Sequence, residues 1–314
     1  MDKRVYGVLG ISSIMANWNA DFTGYPKTTS DGTTFGSDKS LKYPMKKMWD
    51  NSGEKVLYIK SMKLSEGKKG EVQLVPRALK ERYEQIFEVK NLKDCKDAKE
   101  VLVNLFSAID VKNFGATFAE EGNNISITGA VQIGQGFNKY EDTNPEEQQI
   151  LSPFRDGSKD SEKSEEAKNS TLGSKIVSNE AHYFYPFTIN PATYKEFEGL
   201  GVTDGYTDED YEKFKNTSLV AATSFATNSK IGCENEFAIF VETEENLYLP
   251  NLSQYIEFCK GEEKNVIKIK CSELINSVND KVKDVEIYFN PYTTEIQSDI
   301  KGAKVFNIFT QKEV

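Results

Sequence analysis

An α+β fold is the class this sequence predicts, on three observations. A strand-like apolar run, Val5 to Ile14, leads into a segment with helical periodicity, Ser37 to Asp50. Further apolar runs of strand length recur to the end of the chain with helix-patterned stretches between them. There is no internal repeat, and no G-x-x-x-x-G-K-[ST] or G-x-G-x-x-G phosphate loop of the doubly wound nucleotide folds is present.

The first strand breaks into the polar loop Ala16-Asn17-Trp18-Asn19-Ala20-Asp21. In the helix that follows, Lys39, Lys42 and Lys46 fall at i, i+3 and i+7, while Leu41, Met45, Met48 and Trp49 fall at i, i+4, i+7 and i+8. The segment therefore has a cationic edge beside an apolar face, and can pack on a sheet while offering phosphate contacts. Pro44 interrupts it, and a residue without a backbone N–H either kinks the helix or marks its first turn. Lys55 to Met62, with Val56, Tyr58 and Lys60 in period two, reads as a second strand and completes a β-α-β opening.

From Pro76 to Asp110 the pattern is helical, and Asp97 to Leu102 leads an amphipathic run ending in Phe106 and Ile109. Phe114 to Ala119 and Ile125 to Ile133, separated by Glu120 to Asn124, have the lengths of a β-hairpin. Between Glu141 and Asn179 apolar residues become sparse, and residues 157–171 (GSKDSEKSEEAKNST) cannot offset their ordering entropy by burial, so an exposed or disordered loop is expected. Ile150, Leu151 and Phe154 flank that tract and read either as an anchor on the body or as a contact surface. Ala181 to Ile189 is a buried strand ending at Asn190-Pro191. Thr207 with Asp210 three residues on is a capping pair for a helix through Tyr211, Phe214, Leu219, Ala222 and Phe225. Glu236–Thr243, Val266–Lys270, Val285–Phe289 and Val305–Phe309 are the remaining strands.

A chain of 314 residues with 38% hydrophobic content can bury a sizeable core, and one domain with insertions is the expected organisation. The mean hydropathy of −0.55, the lack of any apolar run near the roughly 20 residues a membrane span needs, and the lack of a signal segment predict a cytoplasmic protein with no membrane partner. Cys95, Cys233, Cys259 and Cys271 are dispersed and read as reduced structural thiols. His182 is the single histidine, so no metal set assembles around it, and a packed polar role is expected rather than a catalytic base. Neither a cofactor nor a metal is predicted. The net charge of −10 hides an asymmetry: Met1 to Arg82 carries 15 Lys+Arg against 9 Asp+Glu, or +6, and the remainder carries 24 against 40, or −16. The basic excess sits with the lysine helix, where a solvated surface is the alternative reading.

Taken in order, several landmarks resemble the guide-RNA-binding backbone subunit of type I CRISPR effector complexes (Cascade), most like subtype I-B, within the repeat-associated RNA-binding superfamily. They are the N-x-N-x-D loop Asn17-Trp18-Asn19-Ala20-Asp21, the helix start Asp38-Lys39-Ser40-Leu41-Lys42, the strand Asp110 to Ala116 containing Phe114-Gly115, and ITGAVQIGQG at Ile127 to Gly136. His182-Tyr183, Ile189-Asn190-Pro191 and Ala226 to Gly232 follow in the expected order. Ala20 and Phe22 depart from the family's usual Gly and Pro, and Tyr43 and Pro44 occupy positions that are commonly basic.

The resemblance implies a ferredoxin-like, RRM-type βαββαβ palm, a helical fingers insertion over about 63–110, and a β-hairpin thumb over about 134–180 that carries the tract 157–171. The two RNP aromatic motifs are not evident, so base stacking on the sheet face is not expected. It implies a non-enzymatic subunit that binds crRNA, stacks with further copies of itself along the spacer, and presents the guide to target DNA. Other expected partners are the large subunit, the 5′-end cap subunit and the crRNA-processing subunit. Carried over to this chain, Lys39, Lys42, Lys46, Lys27, Lys47, Lys230, Asn17 and Asn19 are the RNA-contacting candidates, and Ile150, Leu151 and Phe154 are candidates for an apolar wedge. Two competing readings are a type III-like backbone that cleaves target RNA with a metal held near Asp21, Asp31 or Asp38, and a scaffold that binds proteins only.

Overall fold

The computed structural model describes residues 1–67, 70–95, 97–151 and 172–314. Strand β1 (Lys3–Ala16) alternates as its sequence suggests: Val5, Leu9 and Ile11 enter one core, and Tyr6 and Val8 enter another on the opposite face. A loop and the short strand β2 (Phe35–Gly36) lead to helix α1 (Asp38–Asn51), which buries Leu41, Met45 and Trp49. The helix continues on both sides of Pro44, so the proline is an interior residue and not the first turn. Burying a large side chain such as Leu41 in this way contributes about 2 kcal/mol.

The expected strand over Lys55 to Met62 does not form, and with it the β-α-β opening is lost. The backbone there is satisfied by groups from distant residues. Leu57 and Tyr58 N–H each donate to the Asp110 carboxylate at 2.8 Å, Val56 C=O accepts from the Arg82 guanidinium, and Lys55 C=O accepts from Ile109 N–H. With no ladder partner needed, the segment stays irregular.

A separate hairpin comes next, β3 (Met62–Glu66) against β4 (Val72–Pro76), with Leu64 opposite Leu74 and both exposed. The expected all-helical stretch from residue 63 therefore begins as β structure, because the apolar residues alternate in period two here. Helices α2 (Leu79–Ile86) and α3 (Ala98–Ser107) then follow as the sequence suggests, but the strand expected over Asp110 to Ala116 is helix α4 (Ile109–Phe114) up to Gly115, its turn held by Lys112 N–H on Ala108 C=O and the Asn113 amide on Ile109 C=O.

Strands β5 (Gly115–Phe118) and β6 (Ile125–Thr128) form the expected hairpin, but it stops at Thr128. Gly115 has φ +82°, and a Cβ there would lie 2.2 Å from the Ile127 carbonyl, so the Phe-Gly step is a packing requirement. Strands β7 (Val131–Ile133), β8 (Gly136–Asn138) and β9 (Pro145–Leu151) each pair antiparallel with the long β10 (Leu172–Ile189). The β9–β10 hairpin spans Pro145–Leu151 against Leu172–Ser178; Phe154 and the tract 157–171 lie outside the described residues.

After α5 (Lys195–Gly199), helix α6 (Asp208–Ser218) opens with the Thr207–Asp210 box: Thr207 Oγ1 accepts from Asp210 N–H, and Thr207 N–H donates back to the Asp210 carboxylate. The expected run to Phe225 is split, with α7 (Ala221–Ser224) set off from α6. The Asn235 side chain bridges that break, donating to Ser218 C=O and accepting from Ala222 N–H. Strand β11 (Cys233–Glu244) pairs with β1. Strands β12 (Ile256–Cys259) and β13 (Asn265–Ile269), helix α8 (Ser272–Ser277), and strands β14 (Val282–Phe289), β15 (Thr294–Ser298) and β16 (Lys304–Asn307) complete the chain.

The main sheet has the order β16-β14-β11-β1-β10-β8-β2, antiparallel except for β14–β16. Helices α1 and α6 bury Met45, Trp49, Tyr211 and Phe214 against one face. The small sheet β12-β13-β15 and α8 cover the other through Ile256, Ile267, Ile269 and Ile275, which pack with Val8, Ile239 and Ile287. Both faces around β1 are thus occupied, so any ligand must meet the protein at helices, loops and strand ends. No helix among the described residues is long and apolar enough to cross a membrane.

Candidate nucleic-acid interface

The three helix lysines do share one groove. Lys39, Lys42, Tyr43 and Lys46 from successive turns of α1 form one wall, and Tyr58, Phe114 to Thr117 and Ile127 form the other, enclosing about 560 Å³. Two ammonium groups sit over the Phe114 ring, Lys42 at 5.1 Å and Lys46 at 5.8 Å from its centroid.

Their charges are not equivalent. Lys42 is 2.8 Å from Asp38 one turn earlier. Lys46 is nearly enclosed, donates to the Tyr58 carbonyl and lies 3.4 Å from the buried Asp110 carboxylate. Burial lowers the Lys46 pKa, an effect that Asp110 opposes. Lys39 is exposed and has no carboxylate partner among the described residues. Lys47 points away from the groove to Asp50, which also takes the Arg82 guanidinium.

A second groove, about 620 Å³, gathers Asn17, Ala20, Thr23 and Gly24 from the loop after β1, Ile150 and Ser174 to Ile176 from the β9–β10 hairpin, and Thr227 to Lys230. Lys230 bonds to the carbonyls of Asn17 and Trp18 and lies 5.5 Å from the Trp18 ring, and burial lowers its pKa. Asn17 is buried. Its amide donates to Gly24 C=O at 2.9 Å and Ile176 C=O at 3.1 Å, which joins the loop to the hairpin. Asn19 accepts from Ser37 N–H at 2.8 Å, holding the start of α1, and Lys27 pairs through its backbone with Asn19 and Phe35. The two asparagines of the N-x-N-x-D loop are therefore internal ties.

Asp21, the last residue of that motif, accepts from Thr23 N–H, Thr23 Oγ1 and Tyr25 N–H, which lowers its pKa. Asp31 closes a similar turn with Thr29 and Thr33. No cluster of three or more potential metal ligands stands among the described residues.

Of the wedge candidates, Ile150 is half exposed on the second groove; Leu151 ends β9, paired with Leu172 through the backbone. Sequence reasoning missed Lys175, which lines this groove without a carboxylate partner among the described residues. Its position beside the polar tract gave no periodic signal.

Lining chemistry separates these grooves from a larger one of about 680 Å³. That cavity has Asp31, Glu141 and Glu257 against Lys139, whose pKa burial lowers. Among the described residues, the α1 groove has three lysines and no lining carboxylate, and the second has Lys175 and Lys230 and none. Both suit an anionic ligand and the larger one does not.

The family model described as CRISPR-associated protein Cas7 matches residues 3–287. The chain belongs to the CRISPR-associated protein Cas7 family. No curated protein matches its sequence. Its fold is similar to a chain of a solved "CRISPR RNA-guided surveillance complex, pre-nicking", with a TM-score of 0.53 at 15% identity, covering 97% of this chain and 96% of that one. A second such chain, from a "CRISPR RNA-guided surveillance complex", gives a TM-score of 0.45 at 13% identity over 92% of this chain and 91% of that one. Within this Cas7 chain, the landmarks Phe114-Gly115 and Asn17 to Asp21 serve the fold itself, the first through the tight approach of β5 to β6 and the second through the loop's own hydrogen bonds.

Proposed function

We propose that this chain is a guide-RNA-binding backbone subunit of a type I CRISPR surveillance complex, of the subtype I-B kind, which polymerises along the spacer and presents it to target DNA. The observation that carries the reading is the groove in which Lys39, Lys42 and Lys46 rise along one edge of α1, with Lys39 exposed and without a carboxylate partner among the described residues while Lys42 and Lys46 are held by Asp38 and Asp110. Ammonium groups at that spacing contact backbone phosphates and ignore base identity, which suits a protein whose every guide differs.

The strand order β11-β1-β10, with β7 and β8 outside β10 and α1 and α6 on one face, supports a ferredoxin-like palm. The β9–β10 hairpin is the natural thumb and the β3–β4 hairpin with α2 and α3 the fingers. Half-exposed Ile150, opposite Gly173 near the distal end of the described hairpin and on the second groove, favours a contact role on the thumb.

Purifying the chain with its complex partners and sequencing the extracted nucleic acid tests the reading. Repeat-flanked spacer RNA protected at regular intervals is the expected result. Protein free of RNA would instead leave a protein-only scaffold.

A further inference from the structure

Phe22 is fully exposed, yet the loop that carries it is tightly held. Asp21 N–H donates to Tyr25 C=O at 2.8 Å, and the Asp21 carboxylate accepts from both Thr23 and Tyr25 amides. Ala20 and Pro26 form a bridge, the Asn17 amide grips Gly24 C=O, and Tyr25 OH donates to Glu147 on the β9–β10 hairpin at 3.1 Å. A ring presented on such a frame cannot fold back onto the body to escape water. Ala20, Thr23 and Gly24, on either side of it in sequence, line the groove that holds Lys175 and Lys230, so Phe22 is carried by a loop that borders this groove; Lys230 is tied to the Asn17 and Trp18 carbonyls, and Lys175 is the groove's uncommitted charge among the described residues.

We propose that Phe22 is a base-stacking residue for a single-stranded nucleic acid lying along this groove. A phenyl ring has no polar atom with which to read a base edge, and every base has a π-face, so the contact adds affinity without adding sequence preference. Pinning the loop beforehand lowers the entropy lost when the base docks. The inference rests on the guide-binding reading above and adds to it a base contact that the phosphate-binding lysines do not make.

The test compares equilibrium binding of the full chain, as wild type and as Phe22→Ala, to a mixed-sequence single-stranded RNA and to an abasic RNA of equal length. Phe22→Ala should bind the intact RNA about ten-fold more weakly and the abasic RNA as tightly as wild type does, because the phosphates are unchanged. A circular dichroism melt matched to wild type confirms that the substitution at this exposed position leaves the fold intact. As a second readout, Trp18 and Trp49 are buried, so a Phe22→Trp variant places one new exposed indole whose emission should be quenched by the intact RNA and not by the abasic one. Equal losses on both RNAs, or no loss on either, would overturn the stacking role while leaving guide binding intact. Wild type that binds neither RNA would overturn both readings. Unchanged RNA affinity with a shifted assembly size would assign Phe22 to a protein neighbour and overturn the proposal.

Discussion

Lys46 and Asp110 form an internal ion pair, Nζ to Oδ2 3.4 Å, in which the carboxylate has no exposed surface. The same carboxylate takes the Leu57 and Tyr58 amides, so one acidic group orders the segment after α1, joins α4 to it and positions a groove lysine. Fold and candidate site meet at this pair.

Asp110→Ala should lower unfolding stability by about 3 kcal/mol, since two buried amides and one nearly enclosed ammonium lose their acceptor together. Denaturant melts measure it. A loss below about 1 kcal/mol would show that the segment is held by other contacts.

The lysines of the α1 groove should separate by role. Lys39→Glu is expected to weaken RNA binding and reduce the salt slope by about one while leaving the melting midpoint unchanged, because the side chain is exposed. Lys46→Met should instead shift the midpoint, since it strips a buried carboxylate of its counter-ion. Wild-type RNA affinity in Lys39→Glu would move the phosphate track away from α1.

His182 supplies a pH dependence. It is buried, with Nδ1 at 2.8 Å from Glu236 and Nε2 at 2.9 Å from Glu180, and its ring stacks on Phe258 at 3.8 Å. Burial opposes the charged imidazole, but Glu236 and Glu180 prevail and raise its pKa above the ordinary 6.5. The stabilisation is therefore complete below pH 6.5 and is lost as pH rises through the raised value. Glu180, its pKa lowered from 4.5 against the effect of burial by His182 and Lys260, contributes above pH 4.5 and loses that contribution as pH falls through the lowered value. Thermal melts from pH 5 to 9 should decline on the alkaline side, and His182→Gln should remove that decline; an unchanged profile in the variant would assign it elsewhere.

Asn17→Ala should loosen the loop after β1 against the hairpin, leaving Tyr25 OH on Glu147 as their remaining hydrogen bond among the described residues. Two hydrogen bonds disappear, at a cost of about 1–2 kcal/mol, and the Thr23 to Tyr25 amides should exchange faster with solvent. Unchanged exchange would show that the Asp21 turn holds the loop by itself.

The elements legible in the sequence were those whose pattern is local. Strand β1 shows its two faces by alternation, α1 by the spacing of Leu41, Met45 and Trp49, and α6 by the Thr207–Asp210 box. Lys55 to Met62 also alternates, yet its amides are taken by Asp110, some fifty residues on, and no window over the segment contains that partner. The split of α6 from α7 has the same origin, since Asn235 belongs to the next strand.

For the candidate site, residue type and spacing determined which lysines share an edge, because helical geometry translates i, i+3 and i+7 directly into one face. The ordered landmarks likewise carried the family, which the match over residues 3–287 shows. Tertiary structure alone decided which charges remain available. Lys46 is neutralised by a carboxylate from another helix and Lys230 is tied to loop carbonyls, whereas Lys39 is left facing solvent. The reason is physical: periodicity reports the direction of a side chain, but the state of its charge depends on burial and on partners that only the folded chain brings within a few ångströms.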